Sequence, residues 1–130
     1  MPTQIVGAGA ILRGAAVLVA QRVRPPEVAG RWELPGGKVA TGETEPDALA
    51  RELAEELGLA SGDIEVGERL GADVALNETT TLRAYRVRLL RGEPHPHDHQ
   101  ALRWVTAAEL GDVDWVPADR GWIGDLARAL

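Results

Sequence analysis

The stretch Arg51-Glu52-Leu53-Ala54-Glu55-Glu56-Leu57-Gly58 decides how this chain is read. A helix advances by about 100° per residue, so Glu52, Glu55 and Glu56 share one face at i, i+3, i+4 spacing. Leu49, Leu53 and Leu57 make a neighbouring apolar stripe suited to packing on a sheet. The helix is predicted from about Glu45 to Leu57. Thr44 and Asp47 have capping-box spacing at its start, Pro46 sits in its first turn, and Gly58 is a natural stop. Three carboxylates this close repel one another. Divalent cations are the natural compensation, and hard oxygen donors suit magnesium. A bare E-x-x-E-E also describes a solvated surface helix. The residues upstream break that tie.

Five residues separate Gly37 from Glu43, and seven separate Glu43 from Arg51. Without a side chain, Gly37 lets its backbone carbonyl come close to a metal. Glu43, just before the helix, can reach back to orient Arg51 or a ligating glutamate. Arg51 lies one turn from Glu55 and can hold that carboxylate. Further out, Leu34-Pro35-Gly36-Gly37 is predicted to be a tight turn leading towards the helix. Ile5 to Leu12 and Ala15 to Arg22 have strand character and meet at Arg13-Gly14; Ile64 to Leu70, Thr79 to Leu90 and Leu102 to Val105 follow. The paired prolines after Arg24 and the polar run Gly92 to Gln100 are loops. Thr106 to Glu109 opens a short helix with a second capping box. From Pro117 on, Ile123, Leu126, Ala127 and Leu130 mark a closing amphipathic helix. No internal repeat is present, so residues 1–130 are expected to form one α+β domain, with helices packed on a sheet.

Composition narrows the function classes. The chain has 130 residues, 45% of them hydrophobic, and no cysteine. That excludes disulfides, zinc fingers and thiol catalysis, and fits a reducing, cytoplasmic setting. The apolar run Ile5 to Ala20 fails as a signal peptide: no basic segment precedes it and Arg13-Gly14 interrupts it. No run is long and apolar enough to span a membrane. The formal charge of −6 argues against a nucleic-acid polymer as partner. An acidic site also repels a polyphosphate unless cations stand between them. Phosphate chemistry here therefore requires metal ions.

Gly37, Glu43 and Arg51-Glu52-Leu53-x-Glu55-Glu56-x-Gly58-Leu59 together match the Nudix box, a specific signal. Arg22, Trp32-Glu33-Leu34-Pro35, Gly92-Glu93-Pro94, Trp104-Val105 and Pro117-Ala118-Asp119 extend the resemblance to the MutT-type branch over nearly the whole chain. It resembles the actinobacterial MutT-like enzymes that act on cytidine nucleotides. The resemblance implies an α/β/α sandwich with a central mixed sheet. It implies Glu52, Glu55, Glu56 and the Gly37 carbonyl as ligands of magnesium, for which manganese can substitute. It also implies hydrolysis of a nucleoside triphosphate at the β-phosphorus, giving a monophosphate and pyrophosphate.

Other residues carry two readings each. Asp98 stands in the loop position where the family has a further acidic group; it is a metal ligand, the general base, or a solvated loop residue. His95, His97 and His99 surround it, and alternate spacing in a proline loop does not make them ligands. Arg22 matches a phosphate-contacting position and can fork onto phosphate oxygens; otherwise it is a strand-end charge. Lys38 follows the glycines and can also meet phosphate. Asp119 is the base-reading candidate, or a helix cap after Pro117. The relatives that favour 8-oxo-guanine carry asparagine there. An ionised aspartate cannot donate to O6, but accepts well from the cytosine N4 amine. On that ground CTP, dCTP and their 5-methyl forms are expected as substrates, with 8-oxo-dGTP the alternative. A silent Nudix domain that binds a nucleotide and regulates a partner, or an enzyme for ADP-ribose or a dinucleotide, are further options. Most of Trp32, Trp104, Trp115 and Trp122 are expected in the core, with a base-stacking residue among them the other reading; Leu76 and Asn77 are candidates for the pocket wall. Oligomeric state is left open.

Overall fold

The computed structural model describes residues 4–130. Seven strands form one mixed sheet. Strands β1 (Gln4–Arg13) and β2 (Ala16–Gln21) make the expected hairpin, but pair only at its closed end, through Leu12↔Val17 and Arg13↔Ala16. Beyond that point the two strands part. The gap is filled by two short strands, β3 (Trp32–Glu33) on β2 and β4 (Gly36–Lys38) on β1. On its other side β1 runs parallel to β6 (Thr80–Leu89), which pairs antiparallel with β5 (Ile64–Ala75). The far side of β2 carries β7 (Ala101–Thr106).

Period-two alternation gives each central strand two buried faces. Ala8, Ala10, Val17, Val19, Leu82 and Ala84 point to one side, where they meet Trp115, Trp122 and Leu126. Ile11, Leu18, Tyr85 and Val87 point to the other. There they meet Leu49, Leu53 and Leu57, the predicted stripe of helix α1 (Glu45–Leu57), each fully buried. Helix α2 (Ile123–Ala129) closes the first side. The result is the expected α+β arrangement, a mixed sheet between helical layers. Helix α1 starts where the capping residue puts it: Thr44 Oγ1 accepts the Asp47 N–H at 3.2 Å. It ends at Gly58, in the left-handed region at φ 66°.

Three expectations change. Gly36-Gly37-Lys38 is not a tight turn leading to the helix but a strand paired with Val6–Ala8. A Cβ on Gly36 would lie 1.9 Å from the Gly7 carbonyl oxygen, so only glycine lets β4 approach β1. Strand β5 runs on past Leu70 to Ala75 through two register shifts, which interrupt the alternation that would have marked it in the sequence. The closing helix begins as a 3-10 turn over Pro117–Trp122 and becomes α-helical only at Ile123.

Candidate active site

The parting of β1 and β2 makes room for two adjoining cavities. One, of about 390 Å³, is mostly apolar, with Val6, Val28, Leu34, Leu76 and Leu82 among its walls and Asp119 at its side. The other, of about 240 Å³, is polar and is lined by Arg22, Arg24, Glu33, Gly36, Glu56, Asp98 and His99. Arg22, Glu33 and Gly36 border both.

Of the three glutamates on helix α1 only Glu56 lines the polar cavity, and the three are not equivalent. Glu55 is exposed, at 62% of its side-chain surface. Glu52 lies against β4: a Cβ added to Gly37 would sit 2.4 Å from its carboxyl carbon. Arg51 holds Glu52 at 2.9 Å. Its guanidinium is itself gripped at two points by Glu43, both at 2.8 Å, and reaches Glu55 at 3.7 Å. The predicted support of Arg51 by Glu43 is thus present as a bidentate pair. Hydrogen bonding from Arg51 lowers the Glu43 carboxyl to about 2. Glu56 turns inward and is buried. Burial, reinforced by the nearby Glu52, Glu33 and Asp98, pushes its carboxyl up to about 8. Among the described residues its Oε2 has no hydrogen-bond partner.

Among the described residues, no three histidine or acidic side chains converge on one point as a ready-made cage. The parts of a cation site are nonetheless adjacent. Glu52 borders Gly37, while Glu56 is an acidic group with an unsatisfied oxygen, bordering the same cavity as Asp98. Carboxylate oxygens and a backbone carbonyl are the donor set that a hard divalent ion takes, with the remaining positions left to water and phosphate. The residues therefore fit such an ion. Gly37→Ala provides a check. The displaced neighbour is the flexible end of Glu52, not backbone, so the fold is expected to survive while the carboxylate is pushed aside. Turnover should fall about tenfold with a thermal midpoint within a few degrees of the parent; unchanged turnover would remove Glu52 from the site.

Asp98 is exposed and borders the polar cavity, as a ligand or base in that loop must. Arg22 borders both cavities, its guanidinium held by Glu33 at 2.9 Å and by the Arg24 carbonyl at 2.8 Å. Lys38 is exposed and lines neither cavity; its carbonyl accepts from Arg51 at 3.4 Å. Asp119 is buried, and its Oδ2 accepts the Leu34 N–H at 2.8 Å, 85 residues away in sequence. It is not the helix cap expected after Pro117, because Val116 holds that position and no side chain caps the turn; instead it pins the segment between β3 and β4. Burial pushes its carboxyl up to about 7, with Glu33 adding to the effect and the Leu34 N–H opposing it.

None of the four tryptophans lines the apolar cavity. Trp115 and Trp122 are core residues with their indole N–H groups donated to the carbonyls of Leu110 and Ala72. Trp104 lies under the Arg13 guanidinium, and Trp32 packs on the core. Leu76 does wall the cavity; Asn77 does not. Glu33 and His99 were not foreseen as site residues. His99 Nε2 meets Glu33 Oε2 at 2.9 Å across 66 residues, a contact with no local sequence signal. The other two histidines serve the helix: the backbone N–H groups of His95 and His97 cap the last carbonyls of α1, at Leu57 and Glu56.

Comparison with known proteins agrees with this architecture. The family model for the NUDIX domain matches residues 3–126. A Mycobacterium tuberculosis protein named "Putative 8-oxo-dGTP diphosphatase 2" is 77% identical over 130 residues, which is 100% of this chain and 92% of that one. The CTP pyrophosphohydrolase of Escherichia coli is 37% identical over 116 residues, covering 88% and 84%. The crystal structure of a MutT NUDIX hydrolase from Burkholderia pseudomallei superposes with a TM-score of 0.71 at 29% identity, over 100% of both chains. With the family model covering nearly its full length and MutT-type relatives matching it in sequence and fold, this chain belongs to the NUDIX family, in its MutT-like branch.

Proposed function

We propose that this single domain is a nucleoside triphosphate pyrophosphohydrolase, and that 8-oxo-dGTP is its preferred substrate. The observation that carries the reading is the continuity of the two cavities through Arg22 and Glu33. A base fits the apolar end beside Asp119, and its phosphates then extend over Arg22 towards Glu56 and Asp98. A divalent cation, magnesium in this reading, neutralises the phosphates and activates water at that end. Glu52, Glu56 and the Gly37 carbonyl would hold it, with Asp98 and the exposed Glu55 as further donors. Arg22 orients the phosphates, and Arg51, gripped by Glu43, positions the helix carboxylates. The apolar walls shelter the base from water.

The choice of base turns on Asp119. The case for cytidine nucleotides treated it as ionised. A carboxyl pushed up to about 7 by burial is about half protonated near neutrality. The neutral acid donates an O–H and still accepts, as an asparagine amide does. It can therefore meet O6 of the oxidised purine. The highly similar mycobacterial relative, by its name, points the same way. The ionised form retains the match to the cytosine N4 amine, and the E. coli relative named for CTP keeps that second reading in play.

Hydrolysis of 8-oxo-dGTP in ¹⁸O-water tests the reaction. The expected products are the labelled pyrophosphate and unlabelled 8-oxo-dGMP. Label in the monophosphate, or release of orthophosphate, would contradict attack at the β-phosphorus. Absence of pyrophosphate from any nucleotide would favour a silent binding domain.

A further inference from the structure

His99 is the most buried titratable side chain in the polar cavity, with 5% of its surface exposed. Only one of its two ring nitrogens has a hydrogen-bond partner among the described residues. Nε2 lies 2.9 Å from Glu33 Oε2, and the other oxygen of Glu33 already accepts from Arg22 at 2.9 Å. Glu33 therefore accepts from both sides, and the ring hydrogen belongs on Nε2. That tautomer leaves Nδ1 as a lone pair. Among the described residues Nδ1 is buried without a partner, and so is Glu56 Oε2. Nδ1 stands 4.0 Å from Glu56 Oε1, too far for a direct hydrogen bond. Buried polar atoms in folded proteins are almost always satisfied, so two orphans bordering one polar cavity point to a missing third party. It must donate to the imidazole and belong beside a carboxylate. Water carried by a divalent cation has both properties.

We propose that His99 is a positioning residue whose Nδ1 accepts a hydrogen bond from cation-borne water beside Glu56, while its Nε2–H holds Glu33 and, through it, Arg22. The ring thus couples the phosphate-gripping arginine to the cation carboxylate. This rests on the reading of the polar cavity as the reaction site. It also explains why a loop histidine is packed so deeply while His95 and His97 remain exposed.

Two substitutions divide the roles. His99→Gln places an amide near the Nε2 position and keeps a donor for Glu33, but removes the Nδ1 acceptor. His99→Asn does the reverse. Calorimetry with Mn²⁺ alone should show about tenfold weaker binding for His99→Gln and near-parent binding for His99→Asn. Calorimetry with 8-oxo-dGMP and dCMP in chelator should show the opposite order, because only His99→Asn frees Glu33 and Arg22. Equal losses in both measurements for both variants, or no loss in either, would overturn the proposal. The parent protein supplies a check that no folding defect can obscure. On titration with Mg²⁺, the ¹⁵N resonance of His99 Nδ1 should shift as it gains a hydrogen bond, while those of His95 and His97 stay put. A His99 signal that does not respond to Mg²⁺ would also overturn it. All three readouts are independent of turnover, so an inactive parent protein would count against the proposed function and leave this inference to its own result.

Discussion

Glu56→Gln is expected to abolish turnover, by about three orders of magnitude, and to make the cation-free protein more stable. The two effects share one cause. Glu56 is buried and has no partner for one oxygen, so its carboxyl stays protonated up to about pH 8. Glutamine copies the shape and neutrality of that protonated form. The sign follows from linkage. The folded protein holds a proton that the unfolded chain releases near its ordinary value of 4.5. Stability is therefore full below about pH 4.5 and declines as pH rises through about 8. The whole decline is on the order of 4 kcal/mol. The glutamine variant loses this particular slope, so its thermal midpoint should exceed that of the parent most clearly at pH 8 to 9. A divalent cation replaces the proton in the parent, so Mg²⁺ should raise the parent midpoint, increasingly so as pH rises, and release protons on binding. It should do neither to the same extent in the variant. Equal stability of the two proteins at pH 8.5 would mean that Glu56 is already solvated and ionised.

Asp119→Asn is expected to swing the ratio of kcat/KM for 8-oxo-dGTP over dCTP by about 100-fold towards the oxidised purine. The amide donates to O6 at every pH, which the parent does only while protonated. It also turns a donor or a weaker acceptor towards the cytosine N4 amine, which is itself a donor. The amide oxygen can still accept from Leu34 N–H, so the joint between β3 and β4 should hold. Measured at pH 7.5, an equal loss on both substrates would reduce Asp119 to a structural pin. A swing towards dCTP would reverse its assigned role.

Much of α1 was legible before the fold was known. Its caps, its leucine stripe and its carboxylate face depend on spacing along one element, and spacing is what a sequence displays. The Glu43–Arg51 pair was legible for a similar reason: the partners lie only eight positions apart in sequence. Helices packed on a sheet followed from element order, whereas the mixed pairing and the sandwich followed only from the family resemblance. What could not be read was the difference among the carboxylates. Glu52, Glu55 and Glu56 share a helix face, yet one is held by Arg51, one faces solvent and one is buried. The burial of Glu56 arises where the proline loop packs over the helix end, and the hold on Glu52 comes from Arg51. Gly36-Gly37-Lys38 has the composition of a turn and becomes a strand because β1 and β2 diverge to admit it. The chemical identity of Asp119 was legible, but its charge state depends on burial under a segment 85 residues away. Glu33 and His99 each stood in a recognised stretch of sequence, but nothing local linked them, and they are joined only by the fold.

The central claim is that a buried acid at the end of a cation-dependent phosphate cleft selects the oxidised purine. Its most direct test is the ratio of kcat/KM for 8-oxo-dGTP over dCTP in the parent protein from pH 6 to 8, at saturating magnesium. Because the folded carboxyl titrates near 7, the donor form prevails at the acid end and the acceptor form at the alkaline end. Taking the ratio cancels the titration of Glu56, which both substrates share. The expected result is a preference for 8-oxo-dGTP that is largest at pH 6 and declines through pH 7. A ratio that favours dCTP throughout, with no dependence on pH, would contradict the account.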